Sequence, residues 1–282
     1  MIPAPFDYVR AGSVEEAVAA LVEHGDDAKL LAGGHSLLPL MRLRLATPGV
    51  IVDLGRLDDL RGVSSDGEVL EVGAMTTHWS VVNDPQVTRH CGILAEATAM
   101  VGDEQVRHRG TIGGSLAHGD AAGDLPAVMA ALDAELVAQG PNGRRTIPVA
   151  DFFVDYLETA LAENEVLVSI RVPKLDGSWG FNYQKFNRVA QAWAIVGACA
   201  VVHRENGSIA EARIGLTNMG SVPVRASATE QALAGQGGDA VAEAASHADE
   251  GSDPPADLNA QPDYRRHLAQ VLTRRALEHA LG

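Results

Sequence analysis

Two stretches of the chain place residues that could do chemistry. LLAGGHSLLPL (Leu30 to Leu40) and TIGGSLAHGD (Thr111 to Asp120) each carry a Gly-Gly pair just ahead of a serine. Glycine permits φ > 0 and lets a ligand reach the main chain with no Cβ in the way. Successive amides in such a turn form a concavity that binds anions. Two of them, from different strands, can hold one pyrophosphate. The chain has a net charge of −15 and only three lysines, Lys29, Lys174 and Lys185. An anion held here would therefore rely on amides, on the hydroxyls of Ser36, Thr111 and Ser115, and on a helix N-terminus. Neither stretch is a G-x-G-x-x-G, and neither carries the lysine of a phosphate-binding P-loop. The competing reading is that each pair is only a tight turn, since glycine is the default turn residue.

Other constellations point to less. His35, His78, His108 and His118 show no H-x-H, H-E-x-x-H or Cys-His spacing, so no metal site is expected. Neither Ser36 nor Ser115 lies in a G-x-S-x-G elbow. Cys91 and Cys199 are single and far apart, and hold neither an iron–sulfur cluster nor a structural zinc. They read as buried free thiols. Asp120 and Asp124 lie one helical turn apart at a helix start, where an N-cap or dipole role competes with a ligand role. Trp193 sits in a strand-like apolar run, where a core position is the default. No basic stripe interleaved with aromatics suggests nucleic acid as a partner. The start, MIPAPFDYVR, has no secretory pattern, and the longest apolar run, Ala192 to Val202, is too short to span a bilayer. A cytoplasmic protein is expected.

These residues need elements to position them. Ser13 with Glu16 reads as a capping box for a helix whose apolar stripe is Val14, Ala17, Val18, Leu21 and Val22, ended by Gly25. AKLLAGG reads as a buried strand entering the first glycine loop, VIVDLG as a second strand and GEVLEVGAMTT as a third. ILAEATAMVG reads as helical. The second glycine pair reads as a loop, with a helix starting near Leu125. AELVAQG and EVLVSIRVP read as strands, and PKLDGSWG as a linker. Beyond it, strands FNYQKFNR, AIVGACAVVHR and SIAEARIGLTN precede three helical stretches, with Asn206-Gly207 as a hairpin turn. Strands followed by helices suggest a separate α+β domain.

AGGHSLLPLM, VDLGRLDDL, VGAMTTH, QVRHRGTIGGSLAHGDAAGDLPAVM and GLTNMGSVPVRA together resemble the flavin subunits of the molybdenum hydroxylases, most of all their aerobic carbon monoxide dehydrogenase branch. The resemblance runs from IPAPFDY to LTRRALEHAL. It implies an α+β fold: a two-lobed FAD-binding domain of the vanillyl-alcohol oxidase (PCMH) type, then a C-terminal α+β domain. The expected boundaries are 1–57, 58–173 and 178–282. It implies that Ala32, Gly33, Gly34, His35 and Ser36 wrap the FAD pyrophosphate together with Thr111, Ile112, Gly113, Gly114 and Ser115. Asp124 matches an acidic residue near the adenosine. Leu167 and Lys185 match positions that line the flavin, and Trp193 falls where the carbon monoxide branch carries a tyrosine at the isoalloxazine face. The second loop more often reads T-I-G-G-N; serine at 115 keeps a hydrogen-bonding group, and tryptophan at 193 keeps a stacking one.

The resemblance further implies an oxidoreductase subunit without catalytic residues of its own. Electrons would reach its FAD from a molybdenum cofactor in a large subunit through [2Fe-2S] clusters in a small subunit, then leave for a quinone or another acceptor. The expected assembly is a dimer of heterotrimers, a heterohexamer, at the inner face of the membrane or free in the cytoplasm. Two other functions compete. A self-sufficient FAD oxidoreductase would need its own substrate pocket and a proton donor, for which nothing marks Ser115 or Glu104. A non-catalytic nucleotide-binding module would purify colourless.

Overall fold

The computed structural model describes residues 2–282. The chain opens with β1 (Asp7–Arg10), α1 (Val14–His24), β2 (Ala28–Leu31), α2 (Leu37–Leu43) and β3 (Val50–Asp53). The three strands form a parallel sheet in the order β1-β3-β2. The expected cap of α1 is present: Ser13 Oγ accepts the Glu16 amide at 3.1 Å, and Gly25 ends the helix at φ 54°. Glu16 reaches back to the Gly12 amide at 2.7 Å, one residue earlier than in the usual box. Val14, Ala17, Val18 and Leu21 bury against Val50 and Val52, while Val22 stays exposed.

A five-stranded antiparallel sheet follows, in the order β4-β5-β10-β6-β7. Its strands are β4 (Val63–Asp66), β5 (Val69–Gly73), β6 (Glu135–Gly140), β7 (Gly143–Pro148) and β10 (Val166–Pro173). Between β5 and β6 the chain makes six short helices: α3 (His78–Asn83), α4 (Pro85–His90), α5 (Gly92–Ala99), α6 (Glu104–Arg109), α7 (Ile112–His118) and α8 (Asp124–Ala131). A short α9 (Val149–Phe152) and the hairpin β8 (Phe153–Asp155) and β9 (Glu158–Thr159) lie between β7 and β10. The central strand β10 reads as a near-continuous apolar run because both its faces are covered. Leu167, Ile170 and Val172 join the core of the helices, and Val166 and Val168 join that of the first lobe.

The last part is a four-stranded antiparallel sheet of β11 (Trp179–Phe186), β12 (Val196–Glu205), β13 (Ser208–Thr217) and β14 (Val224–Arg225), ordered as in the chain. Asn206 and Gly207 turn β12 into β13 at φ 52° and 84°, as an Asn-Gly hairpin requires. Then come α10 (Ser227–Leu233), α11 (Val241–Ala245) and α12 (Pro262–Leu281). β12 explains the long apolar run of the sequence. Ala198, Ala200 and Val202 pack under α12 with Leu272 and Leu277, while Cys199 and Val201 point to the opposite side and join Leu125 and Met129 of α8. The sheet thus completes the core of the preceding unit as well as its own. Burial of Cys91 pushes its thiol up to about 12 and also raises Cys199, so both are inert packing groups. No helix among the described residues is long and apolar enough to cross a membrane.

Candidate functional site

The first glycine loop connects β2 to α2 at the C-terminal end of a parallel strand, where the chain must turn back sharply. Gly34 takes φ 80°, a left-handed conformation suited to glycine. Gly33 is needed for a different reason. A Cβ there would lie 2.2 Å from the main-chain oxygen of Arg109 and 2.8 Å from Gly110 Cα, so the loop presses directly on the turn before α7. Among the described residues, the amides of Gly33, Gly34, His35 and Ser36 donate to no protein acceptor. Four successive free N–H groups in a glycine turn form an anion-binding concavity.

The second glycine pair differs from expectation. It is not a loop but the first turn of α7, and neither Gly113 nor Gly114 has a positive φ. Thr111 caps this helix, its Oγ1 accepting the Gly114 amide at 3.1 Å. The amide of Ile112 donates to Thr76 O at 3.0 Å and that of Gly113 to Ala74 O at 2.9 Å. The second pair is therefore no anion nest: its amides already have partners. Its glycines serve closeness. A Cβ on Gly113 would stand 2.4 Å from Ala74 Cβ, and one on Gly114 would stand 2.8 Å from the capping oxygen and 3.4 Å from Ala32 Cβ. Two glycines in a row read as a breaker, yet the hydroxyl cap at Thr111 and Gly119 at φ 66° delimit a helix of two turns.

Between the two motifs lies a cavity of about 440 Å³. Ala32, Gly33, Gly34, His35 and Ser36 line one side, and Thr111, Gly113, Gly114 and Ser115 the other. Ile112 is fully buried behind the wall and acts through packing. Leu167 of β10 contributes apolar wall, and Asp124 also lines the cavity. Trp193, on the connection between β11 and β12, also lines the cavity and is 54% exposed, which sets aside a core role for it. Its segment is fixed from the C-terminal part: Asn218 Nδ2 donates to Ala194 O at 2.8 Å, and the buried Arg265 donates to Ile195 O.

Lys185 is not part of the wall. Its ammonium is buried against Asp124 Oδ2 at 2.8 Å and donates to Met100 O at 3.0 Å. Tyr183 OH donates to the other Asp124 oxygen at 2.7 Å. Burial raises the Asp124 carboxyl, and Lys185 and Tyr183 oppose that rise. Asp124 is the first residue of α8 and its carboxylate faces these two side chains; the N-cap is Gly123, and Asp120 instead accepts the Ala122 amide at 2.9 Å. Neither aspartate caps the helix.

Sequence reasoning weighed His78 only as a metal ligand and missed its place here. It is 3% exposed, lines the cavity, and its Nδ1 has no hydrogen-bond partner. Burial, with the charges of Arg107 and His35 adding, pushes its imidazole down to about 4, so it is neutral at physiological pH. The available signal was Thr77 just before it, which caps α3 by accepting the Ser80 amide at 3.1 Å and so places His78 in the first turn of that helix. Among the described residues no three His, Cys, Asp or Glu side chains converge as a metal site needs.

The free amides of the first loop, the close-packed glycines and the mostly apolar lining of the cavity suit a ligand that joins an anionic centre to apolar ring systems, as a flavin dinucleotide does. Known proteins agree with this chemistry. Residues 4–175 match the family model described as the FAD binding domain in molybdopterin dehydrogenase, and residues 181–280 the CO dehydrogenase flavoprotein C-terminal domain. The chain is 44% identical to the carbon monoxide dehydrogenase medium chain of Hydrogenophaga pseudoflava, covering 99% of this chain and 98% of that one. A solved structure of carbon monoxide dehydrogenase from the same organism superposes with a TM-score of 0.97, over 99% of this chain and 98% of the other. At 37% identity, over 100% of this chain and 96% of the relative, it is also similar to the alpha subunit of the 6-hydroxypseudooxynicotine dehydrogenase complex of Paenarthrobacter nicotinovorans.

Proposed function

This chain belongs to the FAD-binding medium-subunit family of the molybdopterin dehydrogenases, and on that footing we propose that it is the electron-transfer flavin subunit of a carbon monoxide dehydrogenase. The family makes it a subunit of an oxidoreductase, with FAD in this chain and the molybdenum cofactor and iron–sulfur clusters in others. The two buried cysteines suit that division, since a cluster needs more thiolates than this chain has. The observation that carries the reading is the run of four unpartnered amides, Gly33 to Ser36, facing α7 across the cavity.

FAD, once bound, supplies exchange of one or two electrons, and the protein need only hold it, orient it and shield it. The amides of Gly33, Gly34, His35 and Ser36 would hold the pyrophosphate, with the Ser115 hydroxyl as a further donor and Thr111 fixing the opposite helix. Gly113 and Gly114 would let that helix approach the phosphates. Leu167 would pack on the cofactor. Asp124 would face it at one end, and Lys185 would act through Asp124, keeping that carboxylate fixed. Trp193 would cover the ring and limit access of solvent. Electrons would then pass to a quinone or related acceptor, in a dimer of heterotrimers at the inner face of the membrane or in the cytoplasm. The units 1–57, 58–173 and 178–282 would divide this work: pyrophosphate loop, opposing helix and flavin wall, and Trp193 support.

The test is the native complex. We expect one FAD per chain, bound without a covalent link, since neither glycine motif offers an attachment residue at a ring position. Acid precipitation should leave a yellow supernatant, and the partner subunits should carry molybdenum and iron. A colourless protein sinks the reading. Full activity of the chain alone would instead point to a self-sufficient flavoenzyme.

A further inference from the structure

A second cavity, of about 480 Å³, lies against the outer side of the first glycine loop, sharing Ala32, Gly33, Met75 and Thr111 with the first. Arg10, Arg56, Arg61 and Arg109 line it together with His108. In a chain of net charge −15 this convergence is the reverse of the surface at large. The single carboxylate in its wall, Asp53, is already engaged by Tyr8 OH and by the Gly55 amide at 2.8 Å. Arg61 donates to Gly55 O at 3.0 Å and pairs with Asp58 at 3.5 Å, and Arg10 donates to Tyr8 OH at 3.3 Å. Arg56 and Arg109 are exposed, and among the described residues their side chains make no hydrogen bond or ion pair. Two unpaired guanidinium groups in a concave wall are ready-made forks for carboxylate or phosphate oxygens.

The rim says which source of anion fits. Trp79 is 47% exposed and stacks on His108 with ring centroids 5.2 Å apart. Tyr8 and Leu38 stand 48% and 42% exposed beside Arg10 and in the cavity wall. A small anion would occupy the arginines and leave these apolar groups in water. A protein surface would cover both, and the mixture of Arg, Trp and Tyr is that of interface anchors. We propose that this cleft docks an acidic segment of another subunit of the complex, with carboxylate side chains entering the cleft that Arg56 and Arg109 line. The proposal rests on reading the chain as one subunit of a multi-subunit flavoenzyme. The chain's net negative charge disfavours an acidic partner in general, so the arginine-lined cleft also fixes its orientation. The segment sits across one backbone layer from the cofactor cavity, since Ala32, Gly33 and Thr111 face both spaces.

The experiment uses the chain produced together with its partner subunits. The double variant Arg56→Glu/Arg109→Glu should weaken assembly by at least about tenfold, with flavin content and melting temperature of the isolated chain unchanged. Wild-type assembly should weaken as salt is raised, and the milder Arg56→Gln/Arg109→Gln should fall in between. Assembly of both variants with wild-type affinity overturns the proposal. So does loss of flavin from the isolated Glu variant, which would make the cleft part of the cofactor site. Titration of the isolated chain with inorganic pyrophosphate separates the other source. Binding that the variants abolish while assembly stays intact assigns the cleft to a small anion and overturns the docking. A wild-type complex that assembles without flavin would refute the functional reading and leave the charge result standing.

Discussion

At the residue scale, three positions decide how the cavity works. Gly33 has no room for a methyl group, because Arg109 O stands where its Cβ would go. Gly33→Ala should cost about 1–3 kcal/mol, as forced overpacking does, and should lose most bound FAD because the loop must back away from α7. Flavin content and urea unfolding on one preparation measure both. Trp193 behaves in the opposite way. Half exposed, it contributes little to the core, so Trp193→Ala should keep its melting temperature and most of its flavin. A stacked ring is worth about 1 kcal/mol, while the many polar contacts of a dinucleotide dominate affinity. What should change is reoxidation by oxygen or quinone in stopped flow, since the variant opens one side of the cavity; an unchanged rate would remove Trp193 from the flavin.

His78 adds a pH dependence with a defined sign. Its folded value is about 4 against an ordinary 6.5, because burial penalises the imidazolium. Between these values the unfolded chain binds a proton that the folded chain does not, so stability falls as pH drops through that window. At about 1.4 kcal/mol per pH unit, the loss amounts to about 3 kcal/mol. His78→Asn cannot titrate and should lack this part of the acid sensitivity. Denaturant unfolding of both FAD-free proteins at neutral pH and near pH 4 reads the difference, and parallel curves would show that His78 is solvated.

At the scale of elements, the ion pair of Lys185 in β11 with Asp124 in α8 ties the last sheet to the helix that closes the cavity. Both side chains are buried, so removing one partner strands the other. Lys185→Met should cost about 3–5 kcal/mol, and the double variant Lys185→Met/Asp124→Leu should recover much of that, because an apolar pair avoids desolvating two charges. Because burial already raises the Asp124 carboxyl, the single-variant penalty should shrink toward acid pH, where that carboxyl protonates. α7 shows the same logic on a smaller scale. Its start depends on one hydroxyl cap, and its position depends on Gly113 lying against Ala74.

For the whole molecule, the shared sheet matters most. β12 contributes Cys199 and Val201 to the core of the flavin-binding unit and Ala198, Ala200 and Val202 to the core beneath α12. Arg225 of β14 adds polar ties, donating to Ala130 O at 2.8 Å and to Asp133 at 2.7 Å. The chain should therefore unfold in one transition, with calorimetric and van't Hoff enthalpies in agreement. A fragment ending near residue 175 would expose the apolar faces of α5 and α8 and should aggregate or bind a hydrophobic dye. A soluble, flavin-loaded fragment with a single sharp transition would contradict this.

The sequence by itself determined whatever depends on neighbours in the chain. Ser13 with Glu16 marked α1, Asn206-Gly207 marked a hairpin, the first glycine pair marked a sharp turn after a strand, and the poverty of cysteine ruled out a cluster. Resemblance then supplied the cofactor. Tertiary structure alone decided which groups have partners. It bonded the amides of Ile112 and Gly113 to Thr76 O and Ala74 O, leaving the first loop as the one whose amides have no protein partner. It buried His78 and thereby neutralised it, paired Asp124 with Lys185 across 61 residues of chain, and left Trp193 in the open despite its apolar neighbours. The physical reason is common to all four. Burial, desolvation and hydrogen-bond satisfaction are set by segments distant in the chain, and periodicity along one segment carries no record of them.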